Sequence, residues 1–186
     1  MFPRPLLPIA AALGAAGFLG SAQAQFLDSR QAPTLYLQAG AAKESARSLT
    51  VGSTVPMAWY SRWGSHLITA HWDMSLAVWN SHLLDDSRKN IVVLGLAPTL
   101  RLHSGSSFPW FVEAGIGGFL SNRVYHSRDK DFSTAFNFGT HLGAGFFSGP
   151  RRENEWSVRL EHFSNAGIKS PNPGENFVQL RYARHF

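Results

Sequence analysis

The stretch "HLITAHWDMSLAVW", His66 to Trp79, alternates with a period of two. Ile68, Ala70, Trp72, Met74, Leu76 and Val78 hold the even positions, and Thr69, His71, Asp73 and Ser75 hold odd ones. Successive side chains of a β-strand point to opposite faces, so this segment has one greasy face and one wet face. The same parity returns along the chain. Val92, Leu94, Leu96, Leu100 and Leu102 oppose Thr99 and Arg101; Trp110, Val112, Ala114 and Ile116 oppose Glu113, Gly115 and Gly117. Phe136, Phe138, Leu142, Ala144 and Phe146 oppose Asn137, Gly139, His141, Gly143 and Gly145.

A soluble sandwich or a lipocalin-like barrel would also alternate, with its apolar side chains inward and charges outward. Charged residues make up only 16% of this chain, too few to cover such an exterior. The alternating segments run to about 10 residues or more, the span of a tilted transmembrane strand. Their wet faces are rich in Gly, Ala, Ser and Thr with a few charges, which suits the interior of a small membrane barrel. Trp59, Tyr60, Trp63, Trp79, Trp110 and Trp156 fall near strand ends, as interfacial aromatic girdles do. The sequence therefore predicts an all-β fold, an eight-stranded antiparallel transmembrane β-barrel. Its strands are expected at roughly 33–43, 47–60, 65–80, 88–103, 108–122, 132–148, 153–165 and 174–186, an even number as single-chain bacterial barrels have. Turn and charge signals separate them, including Arg62 to Gly64, Arg123 to Asp131 and Ser170 to Gly174. The last strand steps by twos through Val178, Leu180 and Tyr182 to a terminal Phe186, the kind of aromatic ending seen in outer-membrane barrels.

The first 24 residues read as a secretory signal peptide. Arg4 gives a positive start, Leu6 to Gly20 is apolar, and Ala22-Gln23-Ala24 is an A-x-A cleavage site. A membrane anchor is disfavoured because the apolar stretch is short of the roughly 20 residues a spanning helix needs, and Pro8 interrupts it. Removing 24 of 186 residues leaves 162, from Gln25 to Phe186, the length of one domain. With no cysteine, neither a disulfide nor a thiolate metal site can form. Taking Arg4 from the 17 basic residues leaves 16 against 12 acidic ones, scattered rather than in a block that would track nucleic acid. No later window is apolar enough for a membrane helix, so a membrane span must use strands.

One segment does not fit a purely structural barrel. "EHFSNAGIKSPNPGEN", residues 161–176, holds His162, Ser164, a small-residue turn and Glu175. Trp156, Val158 and Leu160 set the greasy parity of the seventh strand, and counting on by twos reaches His162 and Ser164. Both should therefore lie on the lipid-facing wall, where bare polar groups are costly unless they sit near the headgroups. A Ser hydroxyl becomes a useful nucleophile when a base takes its proton, and an imidazole suits that task. A third group must fix the tautomer and support the imidazolium. Glu175 is the chosen third group because a carboxylate supports an imidazolium better than an amide. Asn176 is the fallback, since parity from Val178 puts Asn176 outward and Glu175 inward unless a bulge beside Gly174 turns Glu175 out. Asn165, Ala166 and Gly167 follow the Ser in a turn whose N–H groups, or the Asn165 amide, suit a developing oxyanion. The opposing reading is an interfacial His, since His-x-Ser alone is weak and the chain has 8 His.

The segment "HFSNAGIKSPNPGENF" followed by one final strand resembles the PagL family of lipid A 3-O-deacylases, and "FVEAGIGGF", Phe111 to Phe119, is similar to another part of it. The resemblance implies an outer-membrane enzyme that hydrolyses the ester at position 3 of lipid A from a site facing the membrane. It implies His162 as base, Ser164 as nucleophile and Asn165 on the oxyanion side. No cofactor is expected, and no metal, because His162 and the scattered other His residues show no ligand cluster. Lys169, Arg151 and Arg152 are candidates to meet the sugar phosphates, against the plainer reading of solvated loop cations. The implied partners are lipopolysaccharide and the outer membrane, not nucleic acid, with a homodimer left open. Two rivals remain: a non-enzymatic structural or adhesive barrel, and an acyltransferase acting on the same lipid.

Overall fold

The computed structural model describes residues 32–43, 46–83, 85 and 87–186. The expected leader, residues 1–24, lies outside them. Eight strands follow in order: β1 Thr34–Ala42, β2 Ala46–Trp63, β3 His66–His82, β4 Arg88–His103, β5 Trp110–Ser121, β6 Phe136–Ser148, β7 Asn154–Ser164 and β8 Glu175–His185. Each pairs antiparallel with its neighbour in sequence, and β1 pairs with β8 from Thr34↔His185 to Ala42↔Phe177, which closes the barrel. Closure leaves no strand edge unpaired, the condition for a sheet to stand in hydrocarbon.

The parity reading holds on the ladder. In β4 burial alternates without a break from Ile91 to Leu100. Leu94 is 60% exposed and its neighbour Val93 is 4% exposed. Leu35, Leu49, Leu76, Leu142, Leu160 and Leu180 form a continuous apolar exterior on other strands. Such a surface is stable only against lipid.

Two boundaries differ markedly from expectation. β2 continues past residue 60 to Trp63 because the register shifts between Pro56 and Tyr60, so the extra residues are absorbed in a bulge rather than a turn. The turn that follows is only Gly64-Ser65, with Gly64 at φ +60°. β6 starts at Phe136 rather than near 132, because Phe132 leaves the ladder and turns into the barrel, where it is buried. Trp79 also departs from expectation: it is 5% exposed, on the inward parity of β3 with His71 and Asp73, and does not belong to a girdle.

The lumen holds two layers that differ in chemistry. In its middle, Arg101 bridges Glu113 and Glu155, Arg159 bridges Glu113 and Asp73, and Arg181 also reaches Asp73. These contacts span 2.6–2.9 Å, and every partner is nearly fully buried. Arg101 also lies 4.0 Å over the ring of Phe111, and Arg181 3.5 Å over Tyr36. Beyond this layer, toward the β7–β8 loop, Trp79, Phe119, Tyr125, Phe132, Phe163 and Phe177 pack into an aromatic plug. Trp79 meets Phe163 at 4.7 Å and Phe177 at 4.8 Å between centroids. Phe163 and Phe177 sit directly beside the outward residues of the segment that raised the catalytic question.

Candidate active site

The inward anchors decide the outward geometry. Phe163 is 2% and Phe177 1% exposed, so the strand residues flanking them must face out. His162 and Asn176 are accordingly exposed and Ser164 half-buried, on the outer wall. The β7–β8 register places His162 opposite Asn176 and Phe163 opposite Glu175. His162 Nδ1 donates to Asn176 Oδ1 at 2.7 Å. An amide oxygen can only accept, so the bond puts the proton of the neutral ring on Nδ1 and leaves Nε2 with its lone pair. The tautomer is the one a general base requires.

The ring's other edge rests over Gly174. A Cβ there would lie 2.7 Å from His162 Cε1 and 3.3 Å from Nε2. Gly174 is also at φ +66°, a conformation that favours glycine, so this position is constrained twice. His162 and Ser164 share the face, two residues apart, without a hydrogen bond between Nε2 and Oγ. Their Cα atoms are about 6.6 Å apart by strand geometry, a gap that an imidazole and a hydroxyl can close between them.

Glu175 is not brought to His162. No bulge turns it out: it stays on the inward parity, is 1% exposed, and accepts from Tyr125 Oη at 3.0 Å and Lys130 Nζ at 3.0 Å. It also accepts the backbone N–H of Asn176 at 3.1 Å. The group on the imidazole is the fallback, Asn176.

Asn165 is likewise engaged elsewhere. It is 1% exposed, and its Nδ2 donates to Lys169 O at 2.7 Å and to Ser133 Oγ at 3.0 Å. Its Oδ1 accepts from Gly167 N at 2.9 Å, while its own N–H donates to Asn172 Oδ1 at 3.0 Å. Asn165 thus ties together the loop after the Ser, and its amide is not free to meet an oxyanion. Ala166, at φ 54°, sits at the apex of that loop between these tied groups.

The cations divide between the two ends of the barrel. Lys169 lies in the β7–β8 loop beside the site. Arg151 and Arg152 occupy the β6–β7 turn, next to the Ser148↔Asn154 pair and at the opposite end from Phe138↔Ser164. They cannot meet a substrate bound at Ser164. Tyr125, Lys130, Ser133 and Asn172 are neighbours of the site that the sequence did not single out. The first three lie in an irregular stretch, residues 122–135, where no periodicity says which side chain points at what.

Comparison with known proteins agrees with this layout. The family described as lipid A 3-O-deacylase (PagL) matches residues 47–185. A lipid A deacylase PagL of Bordetella bronchiseptica is 44% identical over 89 residues, covering 48% of this chain and 47% of that protein. The match thus spans about half the Bordetella protein's length. The lipid A deacylase PagL of Pseudomonas aeruginosa is 29% identical over 187 residues, covering 96% and 97% of the two chains. A crystal structure of the outer-membrane enzyme PagL superposes with a TM-score of 0.70 at 25% identity, over 82% of this chain and 99% of that one. A family match across most of the barrel, on the fold and parity described, means that the chain belongs to the PagL family of lipid A 3-O-deacylases.

Proposed function

We propose that this outer-membrane enzyme removes the 3-O-linked acyl chain of lipid A by a serine-esterase mechanism carried by Ser164 and His162, with Asn176 orienting the base. Family membership makes it a lipid A deacylase of the outer membrane. The observation that carries the residue assignment is the Nδ1-to-Asn176 bond on the lipid-facing wall, beside an outward Ser.

Chemistry follows from that arrangement. With Nδ1–H held by the Asn176 oxygen, Nε2 accepts the proton of Ser164 as its Oγ attacks the ester carbonyl. The imidazolium then gives that proton to the departing sugar oxygen, which leaves as a hydroxyl, and an acyl-serine remains. Water, deprotonated by the same Nε2, attacks the acyl-serine, and that proton passes to Ser164 Oγ as the acyl–oxygen bond breaks and the fatty acid leaves. Asn176 holds orientation without adding negative charge, as an amide does in Cys-His-Asn sites. A site on the outer wall lets acyl chains remain among Val158, Leu160, Val178 and Leu180 in the hydrocarbon while the sugar stays at the rim. Every group used comes from one barrel, so the mechanism does not require a homodimer.

Mass spectrometry of lipid A from cells expressing the protein tests this reading. The wild type should remove one hydroxyacyl mass and Ser164→Ala should remove none while still forming a heat-modifiable barrel. Equal deacylation by folded Ser164→Ala would refute the nucleophile, and gain of an acyl chain would indicate transfer instead.

A further inference from the structure

We propose that Lys130, which touches no part of the reacting groups, is a positioning residue for His162, acting from the β5–β6 loop through Gly174, Glu175 and Asn176. The inference rests on the reading of His162 as the base.

Residues 122–135 form a connection longer than a compact fold ordinarily needs, and loops of that length commonly serve a function. This one is pinned at several points. Tyr125 packs edge-on against Trp79 at 5.5 Å and Phe132 at 5.1 Å in the plug. Phe132 N donates to Tyr125 O at 3.0 Å, and Ser127 N to Lys130 O at 2.8 Å, so the loop folds back on itself. Arg128 N donates to His82 O at 2.7 Å, which ties it to β3. From this frame Lys130 Nζ reaches Gly174 O at 2.7 Å and Glu175 Oε1 at 3.0 Å.

Both contacts bear on the imidazole. Gly174 is the residue beneath His162, and fixing its carbonyl fixes the peptide on which the ring rests. Glu175 is a buried carboxylate, and a buried charge without an opposite charge is strongly unfavourable. Lys130 supplies that charge, Tyr125 and the Asn176 N–H the remaining donors. Without Lys130 the relief open to Glu175 is to turn toward water. A strand residue that turns out takes its neighbour in, because faces alternate. Asn176 would then leave His162. The loop cation therefore holds the base's partner on the outer wall by keeping the adjacent carboxylate inside.

The experiment uses the full barrel refolded in detergent, comparing wild type, Lys130→Met, Lys130→Arg and Tyr125→Phe, with heat-dependent gel mobility as the check on folding. Two readouts are taken: kcat and KM on lipid A micelles, and the hydrogen-bonded Nδ1–H resonance of His162 by NMR without substrate. Lys130→Met should lower kcat on the order of tenfold to a hundredfold, with KM within about twofold, and should weaken or abolish the resonance. Lys130→Arg should restore most of both. Tyr125→Phe, which keeps the ring and removes one donor to Glu175, should give a smaller loss in the same direction, and it decides the matter if Lys130→Met does not fold. Unchanged kcat and an unchanged resonance in a folded Lys130→Met, or in Tyr125→Phe if that variant alone folds, would overturn the proposal. The resonance is read in the absence of turnover, so a failure of the Ser164 assignment would leave it intact and the two failures are told apart.

Discussion

At the scale of single residues, the site turns on which of two adjacent side chains faces lipid. Glu175 is the better partner for an imidazolium by charge, and Asn176 holds the place because the β7–β8 ladder runs without a bulge from Asn154↔Arg184 to Phe163↔Glu175. The two residues should respond differently to truncation. Asn176→Ala removes the acceptor of Nδ1–H and should lower kcat on the order of a hundredfold or more, with the barrel intact. Glu175→Ala removes a buried carboxylate that serves Lys130, Tyr125 and the Asn176 N–H, so its loss should loosen the loops as well as slow the reaction. Protease sensitivity of residues 122–135 measures that difference: it should rise in Glu175→Ala and stay unchanged in Asn176→Ala. If both variants lose activity equally and only mildly, Asn176 is not the orienting group.

At the scale of elements, the β7–β8 hairpin is a two-sided device. Its outer face carries His162, Ser164 and Asn176, and its inner face inserts Phe163 and Phe177 into the plug. The parity of strands makes these two facts one, since an aromatic anchored inward fixes its neighbours outward. Phe163→Ala should therefore cost about 3–5 kcal/mol of stability and also reduce activity, although the ring touches no substrate. Equilibrium unfolding in denaturant with lipid vesicles measures the first effect, and deacylation of lipid A the second. A variant as stable and active as wild type would show that the plug does not position the site.

At the scale of the whole molecule, the barrel's exterior was legible in the sequence and much of its interior was not. Period two declares which residues face lipid, so His66 to Trp79 alone fixed β3 and, by extension, the outward placement of His162 and Ser164. Which lumenal groups meet is set instead by the stagger of eight strands around a closed ring. Asp73 and Arg159 are 86 positions apart and Asp73 and Arg181 are 108 apart, yet each pair bonds. Trp79 read as a girdle residue from its place near a strand end, although its own parity with His71 and Asp73 turns it inward. Lys130 and Tyr125 went unmarked because no periodicity governs the stretch 122–135. The central network is where the folded barrel should be most sensitive. Arg159→Met leaves Glu113 and Asp73 short of a buried counter-charge and should cost about 3–5 kcal/mol. The unfolding midpoint in urea reports that loss, and a shift too small to resolve would mean that the buried charges are balanced without Arg159.

The proposed chemistry depends most directly on Ser164 being activated by His162 at the lipid-facing wall. Reacting the folded barrel with an alkyl fluorophosphonate and mapping the modified peptide tests this in one measurement. The adduct should appear on Ser164 in the wild type and be strongly reduced in His162→Asn. An adduct on another residue, or labelling of Ser164 at the same rate without the imidazole, would contradict it.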